Sequence, residues 1–337
     1  MAATIYQVAD LAGVSIATVS RVLRGTAPVA SRTRQRVLVA VDELGYRPSQ
    51  PARSLAEGKH AANGIVFPDL SGPYYAEVVL GYESVAAELG DSVMILSTNG
   101  RSREVPDLVA DLASRVDGLV LLGRTVDDGL VREIAAGGTP VVTVARPPLP
   151  GIDAVTTENL TSARALATHL VAHGYCNAHF LGDVASSFDA HERWQGLTDA
   201  FALLGCPAPP QVHCAYDEEH GRATAADLLA EPDPPDALVC ANDEIALGAL
   251  LAIEAMGLRV PDDVALTGWD DVMAARYSRP GLTTVRQPMR ELGALAARRL
   301  HARVTGERSH VAHEVLPTQL VIRASCGRHP EPDEQEE

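Results

Sequence analysis

The sequence predicts an α/β protein in which a small three-helix head precedes a core of two doubly wound parallel-sheet subdomains. The first observation is a change of pattern near residue 61, after which short apolar runs such as GIVF and DGLVLLG alternate with helical stretches. Alternation of strands and helices builds parallel sheets that are covered on both faces. The second observation is length: 337 residues exceed one small core, so two or three domains are expected.

Residues 4–45 are predicted to form the three short helices of the head. The run TIYQVADLA has apolar residues at helical spacing and begins at Thr4. Gly13 and Val14 interrupt it, and Ser15 is placed to cap the next helix, IATVSRVLRG. The third run, SRTRQRVLVAVDELGY, supplies the apolar residues that close a small core. Two helices joined by a turn with Gly at its start are typical of a helix-turn-helix.

Charge divides the chain at the same place. The net charge of −16 argues against nucleic-acid binding if the chain is taken whole. Residues 1–60, however, hold eight Lys and Arg against four Asp and Glu, a charge of +4, and the remaining 20 basic and 40 acidic residues give −20. A basic head on an acidic body is typical of a protein that meets polyphosphate at one end only.

Composition and motifs argue against several other classes of protein. There is no apolar stretch of roughly 18 residues to span a membrane and no secretory signal, so a cytoplasmic location is expected. Five scattered cysteines without a CxxC pair are expected to be thiols rather than metal ligands or a disulfide. HLVAH lacks the Glu of HExxH, and Lys59 is the only lysine. The sequence therefore predicts no enzyme activity, no metal and no cofactor.

The second helix of the head is predicted to enter the major groove of DNA with its N-terminal residues nearest the bases. Ile16 and Ala17 would pack on thymine methyl groups, and Arg21 would reach guanine O6 and N7. Hydroxyl side chains suit phosphate oxygens. The alternative is a surface helix whose Arg21 is merely solvated. The candidate DNA-binding residues of the head are Ser15, Ile16, Ala17, Thr18, Ser20, Arg21, Arg24 and Thr33.

The head resembles that of the lactose-repressor (LacI/GalR) family of bacterial regulators. The segments VADLAGVS, TVSRVL, LGYRP and ARSL occur in the order of the family, without gaps. The resemblance continues through ANDEIALGAL, GLRVPDDVALTGWDD and RPGLTTVRQP, so it covers nearly the whole chain. It implies a sequence-specific transcription regulator that binds, as a homodimer, a pseudo-palindromic operator in double-stranded DNA. A CG step at the operator centre is expected, because pyrimidine–purine steps unstack easily.

The resemblance also implies a hinge after YRP, which coils into a short helix when two protomers meet on the operator. Leu55 would wedge between base pairs from the minor groove, with Ala52 as its small neighbour. Pro51 departs from the family pattern and is interpreted as the first residue of the hinge helix, where Pro is tolerated. Ala30 stands where the family has a capping serine, so Ser31 is expected to cap the third helix one residue later.

The core resembles periplasmic sugar-binding proteins, in which two doubly wound subdomains leave a crevice beyond the carboxyl ends of their strands. The resemblance assigns contacts with a small-molecule effector to four polar residues at strand ends or close after them. Asp270 can accept two sugar hydroxyls, and Arg193 presents a planar fork of donors. Tyrosines near strand ends are candidates for the aromatic walls. The candidate effector-binding residues are Tyr74, Tyr75, Arg193, Tyr216, Asn242, Asp270 and Gln287.

Structural roles remain open for several of these residues. Arg193 and Asp270 could form a structural ion pair instead, and Asn242 could cap the helix that follows it. Asp243 is predicted to be a cap rather than a ligand. Trp269 is predicted to be a core residue, because strand alternation aims it away from the cleft.

The sequence thus predicts a dimeric repressor of a carbohydrate-utilisation operon, whose operator affinity is controlled by a sugar effector. The alternatives are a nucleoside or another metabolite that acts as a corepressor, and a sugar-binding protein that does not bind DNA. The predicted domains are the helix-turn-helix head at 1–48, the hinge at 49–60, the core at 61–327 and an acidic disordered tail at 328–337. Within the core, the N-subdomain comprises about 61–157 and 288–317, and the C-subdomain about 158–287 and 318–327.

Overall fold

The structure is a computed structural model that describes residues 3–25, 28–46, 60–99, 103–307 and 310–327. It divides into two compact units, Met1–Ala61 and Ala62–Glu337. The predicted hinge residues Ala52 and Leu55, the side chain of Arg24 and the acidic tail lie outside the described residues. Among the described helices, none combines the length and the apolar character that a membrane crossing requires.

The described part of the first unit is a three-helix head. Its helices are α1 (Ile5–Ala12), α2 (Ile16–Arg24) and α3 (Ser31–Glu43). Thr4 caps α1, and Ser15 caps α2 by accepting a hydrogen bond from the amide of Thr18, as the sequence predicts. Gly13 joins them at a φ of 61°, a left-handed conformation that glycine adopts without strain. Apolar side chains from all three helices form the core, namely Val8, Ala9, Ala12, Val19, Val22, Val37 and Ala40.

The prediction that Ser31 caps the third helix is wrong. Helix α3 already includes Ser31, so the N-cap position falls on Ala30, which has no side-chain oxygen to accept a hydrogen bond. Packing of Val37 and Ala40 against the other two helices holds α3 in place instead. Tertiary burial here replaces a local cap.

The second unit alternates strands with helices, as the sequence predicts. Its strands are β1 (Ala62–Phe67), β2 (Ser92–Ser97), β3 (Gly118–Leu122), β4 (Val141–Val144), β5 (Asp153–Thr157), β6 (Ala178–Leu181), β7 (Gln211–Val212), β8 (Ala237–Cys240), β9 (Ala265–Thr267), β10 (Thr284–Arg286), β11 (His313–Leu316) and β12 (Gln319–Val321). Its helices are α4 (Pro73–Leu89), α5 (Val105–Ala113), α6 (Asp128–Ala136), α7 (Leu160–Ala172), α8 (Phe188–Leu203), α9 (Glu218–Leu229), α10 (Asp243–Ala255), α11 (Met273–Tyr277) and α12 (Met289–Val304).

The first sheet runs in the order β11-β5-β4-β3-β1-β2 and is parallel throughout. Strand β1 is buried along its whole length because both of its faces are covered. Ile65 and Phe67 pack towards α4 and α12, whereas Val66 packs on the opposite face towards α5 and α6. Continuous apolar runs in the sequence therefore correspond to strands with helices on both sides.

The second sheet runs in the order β7-β6-β8-β9 and is also parallel, while β10 pairs antiparallel with β12 beside it. Single bridges from Thr267 to Thr283 and from Asp270 to Arg286 connect the two groups of strands. The chain passes between the first sheet and this second group three times, at 157–160, 286–289 and 316–319. Each side is filled by hydrophobic clusters of its own.

The expectation that all five cysteines are thiols is wrong. Cys176 and Cys206 form a disulfide, and their Cα atoms are 5.3 Å apart. They follow α7 and α8, two helices that pack against each other and so bring their ends together. A separation of 30 residues left no spacing signal for the pair in the sequence. Cys214, Cys240 and Cys326 are buried thiols.

A buried carboxylate just after β9 organises this edge of the second sheet. Asp271 is 1% exposed and forms ion pairs with Arg276 on α11, Arg286 on β10 and Arg323 after β12. Burial alone would raise the pKa of Asp271, but the hydrogen bonds and charges of the arginines outweigh it and lower that pKa. The backbone takes a φ of 120° at Asp270 and of 59° at Asp271, a region that L side chains rarely adopt.

Replacing Asp271 with Asn is expected to lower the free energy of unfolding by about 2 kcal/mol at pH 7, because three arginines lose their buried counter-charge. This loss of stability is smaller than the loss for a fully buried ion pair, because Arg276 and Arg286 are half exposed. The folded pKa of Asp271 is lowered from 3.8, so this contribution is present above pH 3.8 and is lost as the pH falls through the folded pKa. Urea unfolding at pH 7 and at pH 3 measures both effects.

Asp262 offers the control, since it pairs with Arg259 on the surface. The Asp262→Asn variant is expected to differ from the wild type by less than about 0.5 kcal/mol. An Asp271→Asn protein that is as stable as the Asp262→Asn protein at pH 7 would show that the three arginines do not depend on this carboxylate.

Candidate functional site

Helix α2 of the head has exposed residues, both polar and apolar, on one side and buried core residues on the other. Ser15, Ile16, Ala17 and Arg21 are exposed, whereas Val19 and Val22 are buried. The side chain of Ile16 is 38% exposed, so its methyl groups are available for a contact outside the head. The helix therefore brings the predicted base-contacting side chains to one surface.

The predicted phosphate-binding hydroxyls occupy a different position. Thr18 and Ser20 are half-buried on α2, and Thr33 is half-buried on α3. The hydroxyl of Thr18 lies 3.0 Å from that of Ser15, so both oxygens take part in the start of the helix as well. Because these hydroxyls are partly buried, they are better placed to contact the phosphate backbone of DNA than to reach the edges of its bases.

A shallow cavity of about 220 Å³ lies beside α2, and Arg21 and Arg34 both line it. Sequence reasoning missed Arg34, although the run SRTRQR carries three arginines. Two guanidinium groups around one concave surface suit a phosphate oxygen. The geometry therefore allows Arg21 either a base contact or a phosphate contact.

In the second unit, Arg193 on α8 is buried and held from several sides. Its Nε donates to Oδ1 of Asn159 at 3.0 Å, and its Nη1 donates to the carbonyl oxygen of Ala241 at 2.7 Å. The guanidinium carbon lies 4.5 Å from the centre of the Trp269 ring, within cation–π range. Its ion-pair partner is Asp189, at 3.9 Å. The guanidinium is thus fixed before any ligand arrives.

A chain of hydrogen bonds links the two sheets at the crossings. Thr157, at the end of β5, donates its hydroxyl to Oε1 of Gln287 at 2.8 Å. Nε2 of Gln287, directly after β10, donates to Oδ1 of Asp270. Burial of Asp270 raises its pKa to about 7, and the charge of Asp189 adds to this, while Arg193 and Gln287 oppose it. A ligand group that donates hydrogen bonds to Asp270 would stabilise its ionised form and so oppose this rise in its pKa.

Tyrosines from the first turn of α4 lie near these carboxyl groups. The rings of Tyr74 and Tyr75 meet edge to face at 5.2 Å, and Tyr75 also packs against Phe67. Burial raises the pKa of both phenols, and the charges of Asp189 and Asp270 raise them further. The structure therefore brings α4, which covers the first sheet, close to Arg193 and Asp270 of the second group.

The other two predicted effector contacts, Tyr216 and Asn242, already form hydrogen bonds within the protein. Tyr216 donates its hydroxyl to the carbonyl oxygen of Asp183 at 3.1 Å, so this hydroxyl already has a partner. Asn242 is buried and caps α10 by accepting a hydrogen bond from the amide of Ile245 at 2.9 Å. Its amide nitrogen also lies 3.4 Å from Oε2 of Glu244, which leaves one of its two N–H groups for a ligand.

Two interpretations of residues next to the site need correction. Asp243 does not cap α10, because its carboxylate accepts hydrogen bonds from the hydroxyl of Thr284 at 2.7 Å and the amide of Val272 at 2.9 Å. Trp269 is a core residue, 2% exposed, but its ring packs against Arg193 instead of pointing away from the cleft. It therefore forms the support beneath the guanidinium.

Sequence reasoning missed Asn159, Asp189 and Glu244. Asn159 follows β5 as Asn242 follows β8, and Asp189 lies four residues before Arg193 on one helix face, so both had a local signal. Asn159 donates to Asp189 at 3.2 Å, which completes the frame around Arg193. Burial raises the pKa of Glu244 to about 7, and nearby carboxylates add to the effect.

The chain resembles known proteins along almost its whole length. Residues 4–49 match bacterial regulatory proteins of the lacI family, and residues 167–326 match a periplasmic binding protein-like domain. The HTH-type transcriptional regulator DegA of Bacillus subtilis (strain 168) is 33% identical over 333 residues, which cover 96% of this chain and 98% of DegA.

Solved structures show the same fold. The Lac repressor dimer bound to operator and the anti-inducer ONPF has a TM-score of 0.88 at 29% identity, over 97% of this chain and 100% of that chain. A complex of the transcriptional regulator CelR with cellobiose has a TM-score of 0.71 at 31% identity, over 96% and 99%. The predicted fold class, a helix-turn-helix head with a periplasmic-binding-protein-like core of parallel sheets, is confirmed.

Similarity that spans head and core together excludes a binding protein that shares only the core. It also sets the chain among regulators rather than enzymes. The chain belongs to the LacI family of DNA-binding transcriptional regulators.

Proposed function

We propose that this regulator is a dimeric repressor whose operator binding is controlled by a neutral sugar held between its two core subdomains. The observation that carries the proposal is the cleft, where a fixed Arg193, the buried Asp270 and the tyrosines of α4 come together. Such groups suit the hydroxyls and the apolar faces of a sugar ring. The CelR relative was solved with cellobiose, which supports a sugar.

The charge of the cleft favours an uncharged ligand. Arg193 already donates to Asn159 and Ala241 and lies 3.9 Å from Asp189, so part of its positive charge is already balanced by a carboxyl group of the protein. Burial raises the pKa of Asp189 and of Asp270, which means that negative charge is already costly here. A ligand that brings hydroxyl donors satisfies these carboxyl groups, whereas an anion would add to the repulsion.

The proposed mechanism is a shift between two arrangements of the N-subdomain and the C-subdomain, with the bounds given above. The Thr157–Gln287–Asp270 chain spans the crossings, so a ligand on Asp270 acts directly on the joint. In the proposed dimer, the angle between subdomains sets whether the hinge at 49–60 can fold on DNA. A coupling of about 1–3 kcal/mol would change operator affinity by about 5- to 150-fold, with ligand relieving repression.

The protein is proposed to act in the cytoplasm, where its operator lies. In the complex, the head enters the major groove of the DNA. Ile16, Ala17 and Arg21 contact bases because they are the exposed side chains of α2, and the half-buried hydroxyls contact phosphates. Two heads related by the dimer axis require a pseudo-palindromic site.

Arg21→Ala is expected to weaken binding to the preferred site by about 10- to 100-fold and to relax selection at one base pair, because a bidentate contact with guanine is lost. The preferred site is first selected from random duplexes with the purified full-length protein. Binding of each variant is then measured on that site and on random DNA at fixed salt.

The control for this experiment is Arg34→Ala, which removes the second arginine of the same cavity. It is expected to weaken binding to both DNAs equally, as the loss of a phosphate contact does. An equal loss for Arg21→Ala would assign Arg21 to phosphate, and the absence of any preferred duplex would refute the proposed operator recognition.

A sugar is expected to raise the melting temperature of the protein, and Asp270→Asn is expected to abolish that rise while leaving binding to the selected DNA intact. The measurement is a thermal-shift screen against neutral sugars, phosphorylated sugars and nucleosides. Asp262→Asn, on the surface, serves as the control and should respond like the wild type. A response only to nucleosides or phosphorylated sugars, or a normal response of Asp270→Asn, would contradict the proposed site.

A further inference from the structure

The disulfide between Cys176 and Cys206 is the most accessible sulfur site among the five cysteines of the chain. Cys176 is half-buried and Cys206 is 8% exposed, whereas the three thiols are almost fully enclosed. Burial also raises the pKa of each of these thiols, so little of the reactive thiolate forms near neutral pH. The three thiols are Cys214, Cys240 and Cys326. Small oxidants and reductants are therefore expected to react at the pair first.

Hydrogen bonds of the backbone hold both cysteines in place independently of the bond between their sulfur atoms. The amides of Cys176 and Asn177 each donate to the carboxylate of Asp236 at 3.1 Å. The amide of Cys206 donates to the carbonyl oxygen of Phe201 at 3.0 Å. The Cα atoms of the two cysteines, which are 5.3 Å apart, are therefore expected to stay close when the S–S bond opens, so the two thiols remain neighbours.

The pair joins the ends of two helices that already contact each other elsewhere. Helices α7 and α8 pack together, and a Cβ atom on Gly196 of α8 would lie 2.7 Å from the carbonyl oxygen of Leu160, the first residue of α7. The contact between Arg193 and Asn159 lies near this end of α7. The disulfide follows the other end of α7, about 20 Å away at the rise of an α-helix. The S–S bond can therefore open and close without contact with the cleft.

We propose that Cys176 and Cys206 form a reversible oxidation site, which a hydroperoxide closes and a dithiol opens. In a reducing cytoplasm, where this regulator is proposed to act, cellular thiols open an accessible disulfide. The closed form then indicates that an oxidant is present. This site goes beyond the proposed response to a sugar, and its chemistry needs neither a sugar nor DNA.

The closing reaction removes two electrons from the pair of sulfur atoms. The thiolate of Cys176, the more exposed of the two, attacks a peroxide oxygen, so the O–O bond breaks and a sulfenic acid forms together with an alcohol or water. The thiolate of Cys206 then attacks the sulfenic sulfur, so the S–S bond forms, the S–O bond breaks and water leaves after proton transfer. Two thiols and hydrogen peroxide thus give one disulfide and two water molecules. A dithiol reverses the reaction through a mixed disulfide and is itself oxidised to a disulfide.

The first test counts the thiols of the folded, full-length protein in each redox state. Five alkylated thiols are expected after treatment with dithiothreitol and its removal, and three after subsequent treatment with hydrogen peroxide. The count is made by mass spectrometry after acid quenching, unfolding and alkylation, so that the buried thiols are counted as well. The oxidised sample is expected to contain a cross-linked pair of peptides that carry Cys176 and Cys206.

Serine variants provide the matched controls for this count. Cys214→Ser is expected to lose two thiols to peroxide, as the wild type does, whereas Cys176→Ser is expected to form no disulfide within the chain because Cys206 has lost its neighbour. A bond that dithiothreitol opens only in the unfolded protein would overturn the proposal, because it would be a permanent structural cross-link. A reduced pair that peroxide does not close again would overturn it too.

The second test compares the melting temperatures of the oxidised and the reduced protein without effector or DNA. A cross-link between residues that are 30 positions apart restricts the unfolded chain, so the oxidised wild type is expected to melt about 5–10 °C above the reduced form. Cys214→Ser is expected to keep this difference and Cys176→Ser to lose it. No difference in the wild type, or an equal difference in Cys176→Ser, would show that oxidation of this pair does not stabilise the protein. A negative sugar screen would not affect either test.

Discussion

Three arginines that converge on Asp271 hold the backbone in which Asp270 meets the cleft. Two successive non-glycine residues with positive φ cost free energy, of the order of 1–3 kcal/mol each, and persist only where the surroundings enforce them. Ion pairs from α11, β10 and the segment after β12 supply that enforcement. The strain is therefore stored beside the residue that the ligand is proposed to touch.

The backbone at Asp270 also explains how hydrogen bonds between Thr157, Gln287 and Asp270 link the two groups of strands. The amide of Asp270 donates to the carbonyl oxygen of Val285 at 2.8 Å, which fixes the segment after β9 against β10 and sets Gln287 within reach of the Asp270 carboxyl group. Gln287 lies on the passage between the two sheets and accepts a hydrogen bond from Thr157 on another passage. A ligand that competes with Gln287 for Asp270 thus alters a hydrogen bond that is linked, through Gln287 and Thr157, to two of the three chain crossings between the sheets.

Local patterns in the sequence predicted the elements and several caps, because these depend on neighbouring residues. Ser15 and Asn242 cap helices as their position before an apolar run indicates. The failures involve contacts between distant segments, such as the disulfide between Cys176 and Cys206, which depends on how two helices pack. No periodicity in either segment contains that information.

The errors close to the site have a more specific cause. Strand alternation would aim the ring of Trp269 away from the cleft, but β9 ends at Thr267, and the left-handed backbone that begins at Asp270 lies beyond it. The rule of alternate faces therefore no longer holds where the ring meets Arg193. Glu244 was missed because the carboxyl groups that help to raise its pKa, among them Asp69 and Asp270, lie on distant segments of the chain.

Asp270 and Glu244, whose pKa values are both raised to about 7, interact electrostatically, so a change of charge at one of them changes the pKa of the other. The charge of Asp270 raises the pKa of Glu244, because two negative charges in a buried region oppose each other. If sugar hydroxyls donate to Asp270, they favour its ionised form. That charge then favours the protonated form of Glu244. On the proposed mechanism, a ligand that binds Asp270 would therefore shift the proton equilibrium of Glu244 without touching it, and the effect would be largest near neutral pH, where both groups titrate.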